Sequence, residues 1–317
     1  MLLEGLKIAA IVPCHNEEVA VGQVIDDLRA ALPESEIYVY DNNSTDLTSD
    51  VAREHGAIVR SESNKGKGNV VRRAFADVDA DVYLMIDGDD TYEAALAPIM
   101  VSKLLDECLD QVVGCRQDDP EDSAHRKGHA QGNAAFNRFV SVLFGVQVTD
   151  MFSGYRVFSR RFVKSFPALS REFEIETELT IHSMALRVPQ AEVPVGFKDR
   201  PAGSESKLRT FRDGFRILWL IARMFAHERP FAFYGIISGI LLALALAFGI
   251  PVIYEFTQTG IVERFPTAIL ASSLAILCAL VGMVGIIQAG ILRQRRESMR
   301  LAYLNFPAPT APDTIAG

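Results

Sequence analysis

From Leu6 to Arg209, short apolar runs alternate with longer stretches of mixed polarity. Lys7–Val12 (KIAAIV), Ile37–Tyr40, Val82–Ile86 (VYLMI) and Gln111–Cys115 read as buried strands. Helices are predicted between them, near Glu17–Leu32 and Thr45–His55. Strand and helix in this rhythm predict an α/β domain built on a mainly parallel sheet, and in such sheets ligands gather at the carboxyl ends of the strands. No internal repeat is evident.

The far end has another pattern. Phe231–Tyr254 and Pro266–Leu292 carry no charged residue, and each exceeds the roughly 20 apolar residues that cross a bilayer. One such run could be a core helix; two of this length favour a membrane hairpin. Arg209, Arg212, Arg216, Arg223 and Arg229 precede the first run, and Arg293, Arg295, Arg296 and Arg300 follow the second, whereas the link between them holds only Arg264. The positive-inside rule then puts both flanks in the cytoplasm and the link outside. In Thr210–Glu228, Phe211, Phe215, Leu218, Ala222 and Phe225 recur at helical steps with arginines elsewhere on the wheel. This amphipathic helix either lies in the headgroup layer or packs on the globular body, and the pattern leaves both open. The expected organisation is a soluble domain over 1–209, a juxtamembrane helix over 210–229, two spans within 230–292 and a cytoplasmic tail over 293–317, unstructured from Pro307. Small residues at Gly235, Gly239, Gly282, Gly285 and Gly290 offer close helix contact, hence an expected homo-oligomer.

Composition narrows the function. With 32 Lys+Arg against 40 Asp+Glu the net charge is −8, which speaks against a nucleic-acid partner. The 49% hydrophobic content and 23% charge exclude a disordered chain. Cys14, Cys108, Cys115 and Cys278 form no CxxC pair, so free thiols in a reducing compartment are expected rather than a zinc site. Glu4 and the short apolar run Ile8–Pro13 do not fit a signal peptide.

Three strand ends carry polar clusters: His15-Asn16-Glu17-Glu18, Asp41-Asn42-Asn43-Ser44 and Asp87-Gly88-Asp89-Asp90. Asp87 and Asp89, two apart on an extended segment, point the same way, and Gly88 would let a ligand approach. Adjacent carboxylates repel and call for a cation; hard oxygen ligands in small number suit Mg2+ or Mn2+ shared with substrate phosphates. A solvated turn is the plain alternative, overtaken here by the position at a strand end. Asp41 lies too early to cap the following helix. Asn64-Lys65-Gly66-Lys67-Gly68-Asn69 sets glycines and lysines before a helix, a loop able to hold phosphate. His15, His125, His129 and His182 are too scattered for a metal site. Asp118–Gly132 reads as a solvated loop, with a lid bringing Arg126 and Lys127 to lipid phosphate as the alternative.

In this order, the segments Ile11–Glu18, Val39–Asp46, Asn64–Gly68, Ile86–Asp89, Thr149–Arg156, Phe173–Leu179 and Arg200–Leu208 resemble the family 2 glycosyltransferases. Within them the chain resembles the polyprenyl-phosphate sugar transferases related to dolichol-phosphate mannose synthase, in their bacterial two-span branch. The resemblance implies a GT-A (Rossmann-like) fold, a nucleotide-sugar donor, most often a uridine one, and a divalent metal. It implies that Pro13, Asn16, Glu17, Asp41 and Lys67 line the donor pocket, Asp41 meeting the base, and that Asp87 and Asp89 form the DxD motif, Asp89 binding the metal. Asp150, Arg156, Glu176 and Glu178 fall in acceptor-side motifs; Arg116, Arg200, Ser206 and Lys207 would hold the lipid phosphate and the leaving diphosphate. The chain departs from the family at Asn42, usually aspartate, and at Asp90-Thr91-Tyr92 after the DxD.

A lipid monophosphate acceptor, with a second pKa of about 6, needs no general base. The expected reaction is therefore inverting in-line attack on the anomeric carbon, assisted by metal and Arg/Lys, with Asp150 as organiser, at a polyprenyl phosphate in the bacterial inner membrane and feeding cell-envelope glycan or lipid modification. A hydroxyl lipid such as ceramide or diacylglycerol would instead need Asp150 as base. A non-catalytic nucleotide-sugar-binding scaffold is the third reading.

Overall fold

The computed structural model describes residues 5–117, 149–170, 174–198 and 225–309. The chain divides into two compact units: Met1–Leu208 together with Ser298–Gly317, and Arg209–Glu297.

In the first unit, β1 (Ile8–Cys14), β2 (Glu36–Asp41), β3 (Ile58–Ser61), β4 (Val82–Met85), β5 (Gln111–Gln117), β6 (Arg156–Ser159) and β7 (Gln190–Gly196) form one sheet in the order β3-β2-β1-β4-β6-β5-β7. All pairings are parallel except those of β6, which runs antiparallel to both β4 and β5. The four expected strands are present. The unforeseen three have physical reasons for escaping notice: β3 is short and only partly buried, β6 opens on a buried arginine, and β7 carries Pro194 and two exposed residues.

Side-chain alternation divides each central strand between two cores. Ala10, Val12, Ile37, Val39, Leu84 and Val157 join one core with α1 (Val21–Ala31) and α4 (Ala97–Asp106). Ile11, Tyr38, Tyr40, Met85 and Phe158 join the other, with α3 (Lys67–Asp77), α5 (Arg160–Ser165) and α6 (Ile175–Leu186). Because both faces are covered, these strands read as continuous apolar runs. Helix α2 (Thr48–Glu54) lies between β2 and β3 in the chain. Phe75 meets Tyr83, Phe158 and Phe166 edge-on and ties the second core together.

Helices α7 (Pro230–Thr259) and α8 (Phe265–Leu304) are both long and apolar enough to cross a membrane. Their large apolar side chains, among them Ile240, Leu244, Ile276 and Ile287, are exposed, unlike those of a soluble core helix. Within this hairpin Ser238 Oγ donates to the Cys278 carbonyl at 3.0 Å, Gly282 faces Ser238, and a Cβ on Gly285 would press on Tyr234. Gly282 and Gly285 thus serve packing inside the chain, while Gly235, Gly239 and Gly290 have open space. At 40 residues α8 runs about 60 Å, roughly twice the hydrocarbon thickness.

From Ser298 onward α8 belongs to the first unit, so the segment expected as a cytoplasmic tail is helical and joined to the body up to Leu304. Tyr303 is buried and its hydroxyl donates to Asp110 Oδ2 at 2.7 Å. Asp110, fully buried at the start of β5, also accepts from Ser159 Oγ at 2.6 Å and from Arg161 Nε and Nη2 at 2.5 and 2.8 Å. The Arg161 guanidinium lies 4.6 Å from the Tyr303 ring centre, and Arg160 covers Phe306 at 5.5 Å. Of the amphipathic segment 210–229, only 225–229 is described, helical over 225–228.

Candidate active site

The three polar clusters do meet, at the carboxyl ends of β1, β2 and β4, where strand order turns about β1. The first two are stitched to each other. Asn16 N donates to Ser44 Oγ, Asn16 Oδ1 accepts from Thr45 N at 2.8 Å, Glu17 N donates to Thr48 Oγ1, and Glu18 Oε2 accepts from Leu47 N. Asn16 and Asn43 hold left-handed φ of 55° and 59°, a conformation asparagine tolerates at turns. Pro13 is buried on β1 beside Tyr40 of β2. Asp41, half-buried, accepts from Ser44 N and Ser49 Oγ.

Asn42 explains one departure from the family pattern. Its amide donates to the carbonyls of Glu62 and Asn64 at 3.0 and 2.8 Å and accepts from Gly66 N at 2.6 Å. An aspartate could accept that last bond but could donate neither of the others. The side chain therefore fixes the 62–66 loop ahead of Lys67, and the Gly66 N–H is already engaged inside the protein. Gly66 has φ 122°, which favours glycine. Asn42→Ala is expected to cost about 2 kcal/mol, since two carbonyls and one N–H lose a partner, and to weaken donor binding. Thermal unfolding and nucleotide titration of the purified variant check this.

The DxD segment follows β4. Asp89 is 6% exposed, and its Oδ1 accepts from Thr91 Oγ1 at 2.6 Å, so the unusual residue after the motif fixes the carboxylate. Gly88 is also needed for packing: a Cβ there would collide with Cys14 Sγ on β1. Asp87 and Glu176 share one cation. Lys67 Nζ lies 2.5 Å from Asp87 Oδ1 and 2.5 Å from Glu176 Oε1. Burial works against the Lys67 ammonium, yet these two carboxylates outweigh it and hold its pKa above the ordinary lysine value. Burial likewise raises Glu176, with Asp87 adding to the effect and Lys67 opposing it. A Cβ on Gly154 would collide with Asp87 Oδ2, so glycine suits the segment that leads into β6, and Gly154 N donates to Tyr92 Oη at 3.0 Å.

On β5, Arg116 grips Asp150 through Nε and Nη2 at 2.7 and 2.8 Å, and lies 5.3 Å from the Phe197 ring centre. Burial would raise the Asp150 carboxyl, but the hydrogen bonds and charge of Arg116 outweigh it and hold the pKa below the usual aspartate value. Arg156, expected at a lipid phosphate, has another task. It is fully buried and donates to the Ser153 and Met151 carbonyls and to Thr180 Oγ1, which fixes the chain between Asp150 and Gly154. Glu178 accepts from Leu169 N and Ser170 N. His182 pairs with Ser165 between Phe162 and Phe166. Arg126, Arg200, Ser206 and Lys207, together with the 118–132 loop, lie outside the described residues. Asn42, Thr91 and Tyr92 stand out in the sequence only as departures from the family pattern, without a role, and Gly154 gives no separate signal there.

Among the described residues, no three His, Cys, Asp or Glu side chains gather into a ready-made metal cage. Asp87 and Asp89 offer hard oxygens from one strand end, a partial set that fits a divalent ion whose shell is completed by ligand oxygens.

Residues 9–166 match the model of "Glycosyl transferase family 2". Glycosyltransferase AglJ of Haloferax volcanii is 31% identical over 294 residues, 92% of this chain and 96% of that protein. A dolichyl-phosphate hexose transferase of the same organism is 30% identical, covering 70% of this chain and 95% of its own length. Among solved structures, glucosyl-3-phosphoglycerate synthase from Mycobacterium tuberculosis in complex with Mn2+, UDP and phosphoglyceric acid superposes with a TM-score of 0.55 at 22% identity, over 70% of this chain and 78% of that one, and so shares the fold. The strand-end motifs, the sheet that presents them and these likenesses lead to one conclusion: the chain is a GT-A glycosyltransferase that belongs to glycosyl transferase family 2.

Proposed function

We propose that the protein transfers a sugar, with inversion, from a nucleotide-diphosphate sugar, a uridine one by preference, to a polyprenyl phosphate in the cytoplasmic membrane of a bacterium. The observation that carries the acceptor is the state of Asp150. A hydroxyl acceptor needs a base to take its proton, and a carboxylate gripped at both oxygens by Arg116 is a poor one. A phosphate monoester arrives already ionised. Two apolar helices with arginine-rich flanks support a membrane-anchored enzyme whose body faces the cytoplasm. The dolichyl-phosphate hexose transferase relative supports the same acceptor, and the Mn2+ and UDP held by the mycobacterial neighbour support donor and metal.

In this reading Asn16, Glu17 and Asp41 lie along the nucleotide, and Asp87 and Asp89 would hold Mg2+ or Mn2+. That ion supplies Lewis-acid neutralisation of the leaving diphosphate. Lys67 and Arg116 add positive charge beside it, which draws an anionic acceptor towards an anionic donor. A phosphate oxygen bonds to the anomeric carbon as the carbon–oxygen bond to the diphosphate breaks, and the electron pair leaves with the nucleotide. Arg200, Ser206 and Lys207 complete the phosphate grip, and copies of the chain associate through their spans.

Full-length enzyme in vesicles, given labelled nucleotide sugars and undecaprenyl phosphate, is expected to yield one labelled lipid that mild acid cleaves. Transfer to ceramide or diacylglycerol, with none to the lipid phosphate, would overturn the acceptor.

A further inference from the structure

The Lys67 ammonium stands where a cation between the site's carboxylates would stand. Asp87 Oδ1 and Glu176 Oε1 are its two described acceptors for three N–H donors, and its side chain is only 11% exposed. The other Glu176 oxygen, Oε2, is buried without a hydrogen-bond partner, so this seat is incompletely filled. Asp87 Oδ2 lies beside Gly154, where a Cβ would collide with it. One oxygen of Asp87 is therefore engaged by the Lys67 ammonium, and the side chain is 27% exposed. A divalent ion on Asp87 and an ammonium in contact with the same carboxylate repel, unless fresh negative charge enters with the ion.

We propose that Lys67 is a resident counter-ion that withholds Asp87 from metal until a nucleotide diphosphate arrives. The ammonium then moves to the diphosphate oxygens and frees Asp87, so that metal and donor load together. Lys67 suits the movement: it is a point charge on a flexible four-carbon stem, at the first turn of α3 behind Gly66. Glu176 is a positioning residue that holds the ammonium in its donor-free place. This inference rests on the reading that the site takes a nucleotide diphosphate, and it orders the events there.

The test is Mn2+ binding, read by electron paramagnetic resonance on metal-stripped full-length protein with and without UDP. Wild type is expected to bind Mn2+ weakly alone and tightly with UDP. In Lys67→Met and Lys67→Gln, which leave the carboxylates uncompensated, Mn2+ binding without UDP is expected to tighten about tenfold or more, and the dependence on UDP to shrink. Lys67→Arg keeps the charge and the wild-type pattern. Neutral variants that fold, as thermal unfolding reports, yet bind Mn2+ no better than wild type would show Lys67 to be a fixed strut and overturn the proposal. So would wild type binding Mn2+ equally with and without UDP. A wild type that binds UDP and Mn2+ together, with unaltered neutral variants, sinks this inference alone; one that binds neither sinks the proposed donor as well.

Discussion

Asp89→Ala is expected to lower sugar transfer by roughly a thousandfold at saturating metal. The argument starts from the fixity of this carboxylate: it is buried, directly follows the glycine packed on Cys14, and is braced by the Thr91 hydroxyl. As the anomeric bond breaks, one further negative charge develops on a diphosphate that already carries two, and without an ion on Asp89 only Lys67 and Arg116 would be left to offset it. Asp87 alone would leave the ion only one carboxylate of the pair. The measurement is initial rate against Mn2+ or Mg2+ concentration, with UDP titrated in parallel to confirm an intact nucleotide pocket. Turnover close to wild type would remove the metal from Asp89, and chelator-resistant activity would remove it from the mechanism.

The largest effect on stability is expected away from the site, at Asp110. Asp110→Ala leaves Arg161, whose side chain is 14% exposed, without its counter-ion and strips the Ser159 and Tyr303 hydroxyls of their acceptor. Removing one partner of a buried ion pair costs about 3–5 kcal/mol, which for a body of this size lowers the unfolding temperature by roughly 10 °C. Donor affinity of the folded fraction should persist, because Asp110 immediately precedes β5 whereas Arg116 lies near the strand's far end. An unfolding temperature indistinguishable from wild type would show that the cluster contributes no net stability.

Much of this was legible in the chain, and the reasons are physical. Strands covered on both faces are apolar throughout, so β1, β2, β4 and β5 stood out, and the residues just after three of them were recognisable because polar clusters there need a purpose. The two apolar helices declared themselves by length. Sequence distance hid the rest. Nothing local indicates that Lys67 reaches Glu176, that Arg116 closes on Asp150, or that Tyr303 finds Asp110 across 193 positions. Arg156 misled for a related reason: an arginine in a polar motif looks like an anion ligand, and only its burial shows it bonding to carbonyls. Gly88 and Gly154 are similar, since what each must avoid is a side chain far away in the chain.

The union of Asp110 with Tyr303 also sets a timetable for biosynthesis. At about 5–20 residues per second, roughly 10–40 s pass between the ribosome's addition of the carboxylate and of its phenol partner. Until Tyr303 is added, Asp110, Ser159 and Arg161 lack the fourth member of their cluster, and both hydrophobic helices are made within the same interval. The body reaches its final form only after the anchor has been synthesised, so a product cut short before residue 303 leaves a loosened domain exposed to proteolysis.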